Sequence, residues 1–165
     1  MVHLLVSDTS VLIDLERGNL LQTTFKLPTP LAVPDVLYEQ ELSQTNGALL
    51  VTLGLRVMTL DDRGVRLAQS YLIRARGLSV SDAFALALAK SGPHVLVCGD
   101  RVLRAFADAE SVECRGLFWI LDRILEAQLA TRSHLRAALK QIAGHPRCRL
   151  PQDLIEAQLA KYSRT

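Results

Sequence analysis

No cysteine of this chain stands in a CxxC or CxxH arrangement, and the three present (Cys98, Cys114, Cys148) cannot all pair. That argues against a disulfide framework and a zinc knuckle. No apolar stretch approaches the roughly 18 residues of a membrane span. The start, Met1-Val2-His3-Leu4, has no basic n-region, and Asp8 interrupts the first apolar run, so it does not read as a signal peptide. A reducing, cytoplasmic setting is the expectation. There is little excess of either charge: 19 basic and 17 acidic side chains leave a net +2, too balanced for coating nucleic acid by charge alone. Lysine is scarce within the basic set, with fifteen Arg against four Lys, and Arg suits bidentate contacts to phosphate or carboxylate. GxxxxGK[ST] and GxSxG are both missing, which excludes a P-loop and a nucleophile elbow. Asp8-Thr9-Ser10 lacks the second Asp of an aspartate-nucleophile phosphatase. A phosphate-receiver domain is excluded in the same way, having neither its early acid pair nor its strand-end Lys.

What is present is ordinary globular material, 49% hydrophobic and 22% charged over 165 residues, enough for one α/β domain. His3 to Ser7 is a short apolar run with the character of a buried strand. A helix pattern follows from Ser10, stopped by Gly18-Asn19. Pro28 to Pro34 is turn-rich, Asp35 to Ser43 reads as a helix, Asn46-Gly47 as a break, and Leu55 to Leu60 as a strand. Asp61 or Asp62 opens a helix through Arg74, and Ser79 to Lys90 forms another. His94 to Cys98 is a second buried strand, Arg101 to Ala109 a helix, and Ser111 to Cys114 a short strand. Strands alternating with helices predict a three-layer α/β/α fold around a mostly parallel sheet. Gly116 to Ala130, Ser133 to Ala143 and Pro151 to Tyr162 show helical periodicity. The expected organisation is therefore a domain over residues 1–130, with residues 131–165 as a helical C-terminal extension packed on it.

In parallel α/β sheets, ligands bind beyond the carboxyl ends of the strands. Asp8 follows the first strand and Asp100 follows the buried strand Val95-Leu96-Val97-Cys98. Glu39 and Asp82 stand near helix starts, and the apolar run after Asp82 marks a buried helix with one carboxylate. Each has a plainer role: Asp8 as an N-cap, Ser79-x-x-Asp82 as a capping box, Gly99-Asp100 as a turn, Glu39 as a solvated helix residue. Together they point to a cation, because two carboxylates at ~4 Å repel by roughly 4 kcal/mol at an effective dielectric near 20. Oxygen-only donors favour Mg²⁺ or Mn²⁺, with a bound water available to attack a phosphodiester.

These residues carry a resemblance. Asp8-Thr9-Ser10-Val11-Leu12-Ile13, Leu37-Tyr38-Glu39, Leu78-Ser79-Val80-Ser81-Asp82-Ala83 with Ala87 and Ala89, and Val95-Leu96-Val97-Cys98-Gly99-Asp100-Arg101-Val102-Leu103 resemble, in order and spacing, the motifs of the PIN domain family. The similarity covers about residues 2–120, and the C-terminal part is similar to a PIN subgroup with added helices. The resemblance implies a Mg²⁺- or Mn²⁺-dependent endoribonuclease, shared by VapC-type toxins of toxin–antitoxin pairs. It further implies that Asp8, Glu39, Asp82 and Asp100 hold the metal, and that Ser10 bonds a ligand carboxylate or metal-bound water. RNA would be the substrate, with an antitoxin protein and a second copy of the chain as partners. The pattern departs from the family where another acid follows the position of Asp100. Arg101, Leu103 and Arg104 occupy that stretch, and Asp108 lies two turns on. A catalytically silent module that binds RNA or protein is the alternative.

Glu39 and Glu41 compete for the second acidic position, since residues two apart on a helix face different ways. Glu39 fits the Val-Leu-Tyr-Glu spacing better. Arg101 and Arg104 could grip a phosphate or form surface ion pairs. Arg63, Arg66, Arg74 and Arg76 read as a solvated face, and His3, His94, His134 and His145 show no ligand spacing. Trp119 and Phe118 read as packing for the extension or as a dimer contact.

Overall fold

The computed structural model describes residues 3–164; Met1 and Val2, the start of the segment that does not read as a signal peptide, and Thr165 lie outside the described residues. Five strands, β1 (Leu5–Ser7), β2 (Leu31–Pro34), β3 (Arg56–Met58), β4 (Val95–Val97) and β5 (Cys114–Arg115), form one parallel sheet in the order β3-β2-β1-β4-β5. The strands are three or four residues long, two in β5, so side-chain alternation decides which layer each residue serves. Leu5, Leu31, Val33, Val95 and Val97 face one apolar cluster, and Leu4, Val6, Ala32, Leu96 and Cys98 face another. The fold is a three-layer α/β/α sandwich.

The first cluster is completed by α1 (Thr9–Arg17), α2 (Leu21–Thr24), α4 (Gly47–Leu53), α8 (Leu117–Glu126), α9 (Arg132–Ala143) and α10 (Gln152–Ser163). The second is completed by α5 (Asp62–Arg74), α6 (Val80–Lys90) and α7 (Arg101–Ala109). Helix α6 is buried on nearly every side, as its Ala/Leu run implies: Ala83, Ala85, Leu86, Ala87, Leu88 and Ala89 are all buried.

Three segments depart from the sequence reading. Leu31–Pro34, inside the stretch read as turn, is a fully buried strand beside β1. Pro30 and Pro34 obscured it, yet neither breaks the ladder: the Pro30 carbonyl accepts from Leu5 N–H at 2.8 Å, and Pro34 ends the strand. Asn46-Gly47, read as a break, starts α4. A Cβ at Gly47 would stand 2.7 Å from the Leu42 carbonyl oxygen and 2.9 Å from Tyr38 Cε2, so this glycine serves close packing. The strand read as Ser111 to Cys114 is Cys114–Arg115 instead, because Ser111 takes φ 58 in the turn leaving α7.

Helices α9 and α10 share the first apolar cluster with the sheet through Leu135, Leu139, Ile142, Ile155 and Tyr162. Phe118 and Trp119 pack at its margin, with the Arg123 guanidinium over the Trp119 ring. Asp122 on α8 fastens α10, accepting from Tyr162 Oη at 2.9 Å, Gln158 Nε2 at 2.8 Å and Lys161 Nζ at 2.8 Å. Asp122→Ala removes the acceptor of the buried Tyr162 hydroxyl, whose bond from Gln158 Nε2 remains, and is expected to cost about 1–3 kcal/mol in urea unfolding, with the loss concentrated in α10 amide exchange. Unchanged exchange in that helix would contradict it.

Candidate metal centre

In the order β3-β2-β1-β4-β5 the chain first winds outward from β1 to β3, then returns to place β4 on the other side of β1. The crevice at that reversal, beyond the carboxyl ends of β1 and β4, is where a parallel sheet opens a ligand site. Asp8 and Asp100 stand there.

Asp8 is 4% exposed and caps α1, accepting Val11 N–H at 3.0 Å on Oδ1. Its Oδ2 accepts Gly99 N–H at 3.1 Å, and Ser10 Oγ lies 2.9 Å from both oxygens. The capping role and the site role therefore coexist in one side chain. A Cβ at Gly99 would stand 3.2 Å from Ser10 Oγ, a tight contact beside the Asp8 carboxylate. Burial pushes the Asp8 carboxyl above its ordinary value, against the hydrogen bonds from Val11, Gly99 and Ser10; the Asp100 charge adds to the upward push.

Asp82 lies in the first turn of α6, where Ser79 Oγ accepts its N–H at 3.0 Å. Burial raises its carboxyl to about 6; the Ser79 hydrogen bond opposes this, while the charges of Asp8, Asp100 and Glu41 reinforce it. Asp100 is exposed and caps α7 through Val102 N–H at 2.8 Å. Three acids far apart in sequence thus bear on one another electrostatically.

The backbone bears on the choice between Glu39 and Glu41. Asp35–Leu37 (α3) runs into a π-helical segment, Tyr38–Leu42, with Ser43 N–H bonded to the Tyr38 carbonyl at 2.8 Å. The extra residue in a π turn rotates the residues beyond it about the helix axis, and single π turns frequently mark functional sites. Both glutamates are exposed; the Glu41 charge bears on Asp82, while the Glu39 carbonyl accepts from Ser43 Oγ at 2.9 Å. Next to Glu41, Gln40 accepts a long 3.4 Å bond from the buried Ser81 hydroxyl. Regular helix spacing gave no sign of this shift.

Arg101 is exposed, and Arg104 donates to the Cys98 carbonyl at 3.3 Å. Among the described residues neither forms an ion pair, and no Lys or Arg pairs with Asp8, Asp82 or Asp100. Thr9 Oγ1, beside Asp8, is buried without a partner. No three His, Cys, Asp or Glu side chains among the described residues stand close enough to enclose an ion as they are. The donor chemistry nevertheless fits a hard divalent cation: every group is oxygen, and the carboxylates at the crevice lack a protein counter-charge.

No helix among the described residues is long and apolar enough to cross a membrane. No curated protein matches the chain. A family model described as DUF3368, PIN domain, matches residues 4–164, α9 and α10 included. PIN domains are generally metal-dependent nucleases. With its all-parallel sheet and acids at the switch point, this chain belongs to the PIN domain family.

Proposed function

We propose that the protein is a Mg²⁺- or Mn²⁺-dependent endoribonuclease that hydrolyses RNA phosphodiesters. The observation that carries this reading is the mutual charge of Asp8, Asp82 and Asp100 at the sheet crevice, with which no Lys or Arg among the described residues forms an ion pair. Asp8, Asp82, Asp100 and Glu41 would hold the cation. A bound divalent ion supplies an activated water and offsets charge on the leaving oxygen. Ser10 Oγ–H and Gly99 N–H orient the Asp8 carboxylate, and Asp82, mostly ionised at neutral pH with a pKa of about 6, would offer its carboxylate to the cation. Arg101, exposed and unpaired, is available to hold an RNA phosphate. No covalent intermediate is required.

Purified protein incubated with RNA is expected to cleave it with Mn²⁺ and to stop on adding EDTA. Tight RNA binding with no product would favour the silent module that the lost acid after Asp100 suggests. The role of toxin in a toxin–antitoxin pair is a finer proposal, tested by a short neighbouring reading frame whose product binds this chain and blocks cleavage. A homodimer, in line with the family resemblance, is tested by light scattering.

The two glutamates separate cleanly. Glu41→Gln is expected to lower cleavage about tenfold or more, the scale of one metal-site carboxylate or its support, whereas Glu39→Gln leaves it within about twofold. Initial rates at saturating Mn²⁺ check this, and the reverse ranking would restore Glu39.

A further inference from the structure

We propose that Cys98 and Cys114 form a redox-responsive pair that closes to a reversible disulfide across β4 and β5. Cys98 directly follows β4, and Cys114 opens β5. The neighbouring strands pair Leu96 with Cys114, and Cys98 N–H donates to the Arg115 carbonyl at 2.9 Å, so the backbones are already held together. Both side chains enter the same apolar cluster, and both are free thiols. Their sulfurs are 2.8 Å apart, less than about 1 Å beyond the ~2.05 Å of a disulfide bond. The third cysteine, Cys148, packs against the cluster on the opposite face of the sheet and cannot compete.

The two partners differ in access, which orders the steps. Cys98 is fully buried, whereas Cys114 is partly exposed and meets the oxidant first. The hydrogen bond with Cys98 also holds the Cys114 thiol below its ordinary value against burial, with the Arg104 charge acting in the same sense. A hydroperoxide is the oxidant. Cys114 sulfur attacks its O–O bond, giving a sulfenic acid and releasing an alcohol or water. Cys98 sulfur then attacks the sulfenic sulfur, expelling water and forming the S–S bond. Two thiols lose two electrons and two protons, the peroxide takes both, and a dithiol reverses the change. The cross-link would tie to β5 the turn that carries Asp100 and the Gly99 N–H bonded to Asp8.

The test uses the whole chain. Reduced protein is exposed to hydrogen peroxide, quenched in denaturant with iodoacetamide, digested with trypsin and mapped by mass spectrometry. The expected result is a Cys98–Cys114 linked peptide lighter by two hydrogens, abolished by dithiothreitol, with Cys148 alkylated throughout. Full alkylation of Cys98 and Cys114, or oxidation of Cys114 to sulfinic acid with Cys98 still alkylated, would overturn the proposal. Because linkage is read by mass, its failure is independent of whether the protein cleaves RNA.

Discussion

Asp82→Asn is expected to lower metal-dependent RNA cleavage by about 10²–10³-fold, the scale on which one charge-stabilising group acts in catalysis. It is also expected to make the cation-free protein more stable at neutral pH. Both effects come from the same carboxylate. Its pKa is raised from an ordinary 3.8 to about 6 by burial, with Asp8, Asp100 and Glu41 adding to the push. In the folded chain Asp82 therefore holds its proton longer than in the unfolded chain. The associated stability is fully present below about pH 4 and is lost as pH rises through about 6. Without screening the loss would approach about 3 kcal/mol; solvent reaches this carboxylate, so a loss of about 1–2 kcal/mol is expected. The neutral amide removes that loss. A chain of this size gains about 2–4 °C per kcal/mol, so the variant's melting temperature at pH 7.5 should rise by about 2–8 °C. Catalytic loss with a fall in stability would instead mark Asp82 as a structural capping residue.

The second large effect is that of the cation on the wild-type protein. A ligand that binds only the folded state at a hundred times its Kd stabilises by about 2.7 kcal/mol, or about 5–10 °C here. Mn²⁺ at that excess should produce such a shift at pH 7.5. The shift should shrink towards pH 5, where protons compete with the cation for Asp82 and Asp8, whose pKa values are both raised. Differential scanning fluorimetry across pH 5–8 checks this. A shift that grows on acidification would be inconsistent with carboxylate binding.

The parts of this fold that obey simple periodicity were legible in the residue pattern. The apolar runs at Leu5–Ser7 and Val95–Val97 read as strands because both faces are buried, and α5, α6 and α7 were signalled by Asp61, Ser79 and Asp100 at their starts. β2 was hidden because prolines that end and flank a strand look the same in sequence as prolines that make a turn. α4 was hidden because Gly47 looks like a helix breaker, yet serves close approach to Leu42 and Tyr38. At the site, Asp8, Asp82 and Asp100 stood out because strand ends and a buried helix start are visible as patterns. The choice between Glu39 and Glu41 was not legible there, since a π turn changes the facing of residues without changing their spacing. The Gly99 N–H that orients Asp8 was equally silent: a backbone donor leaves no trace in residue type.

Cation binding itself is the most direct measurement. Titrating the protein into Mn²⁺ and following the free-ion signal by electron paramagnetic resonance should show saturable binding to the wild type. Binding should be lost or weakened at least tenfold in Asp8→Asn and Asp82→Asn, and retained in Glu39→Gln. Equal Mn²⁺ uptake by wild type and Asp82→Asn, or none by either, would contradict the account.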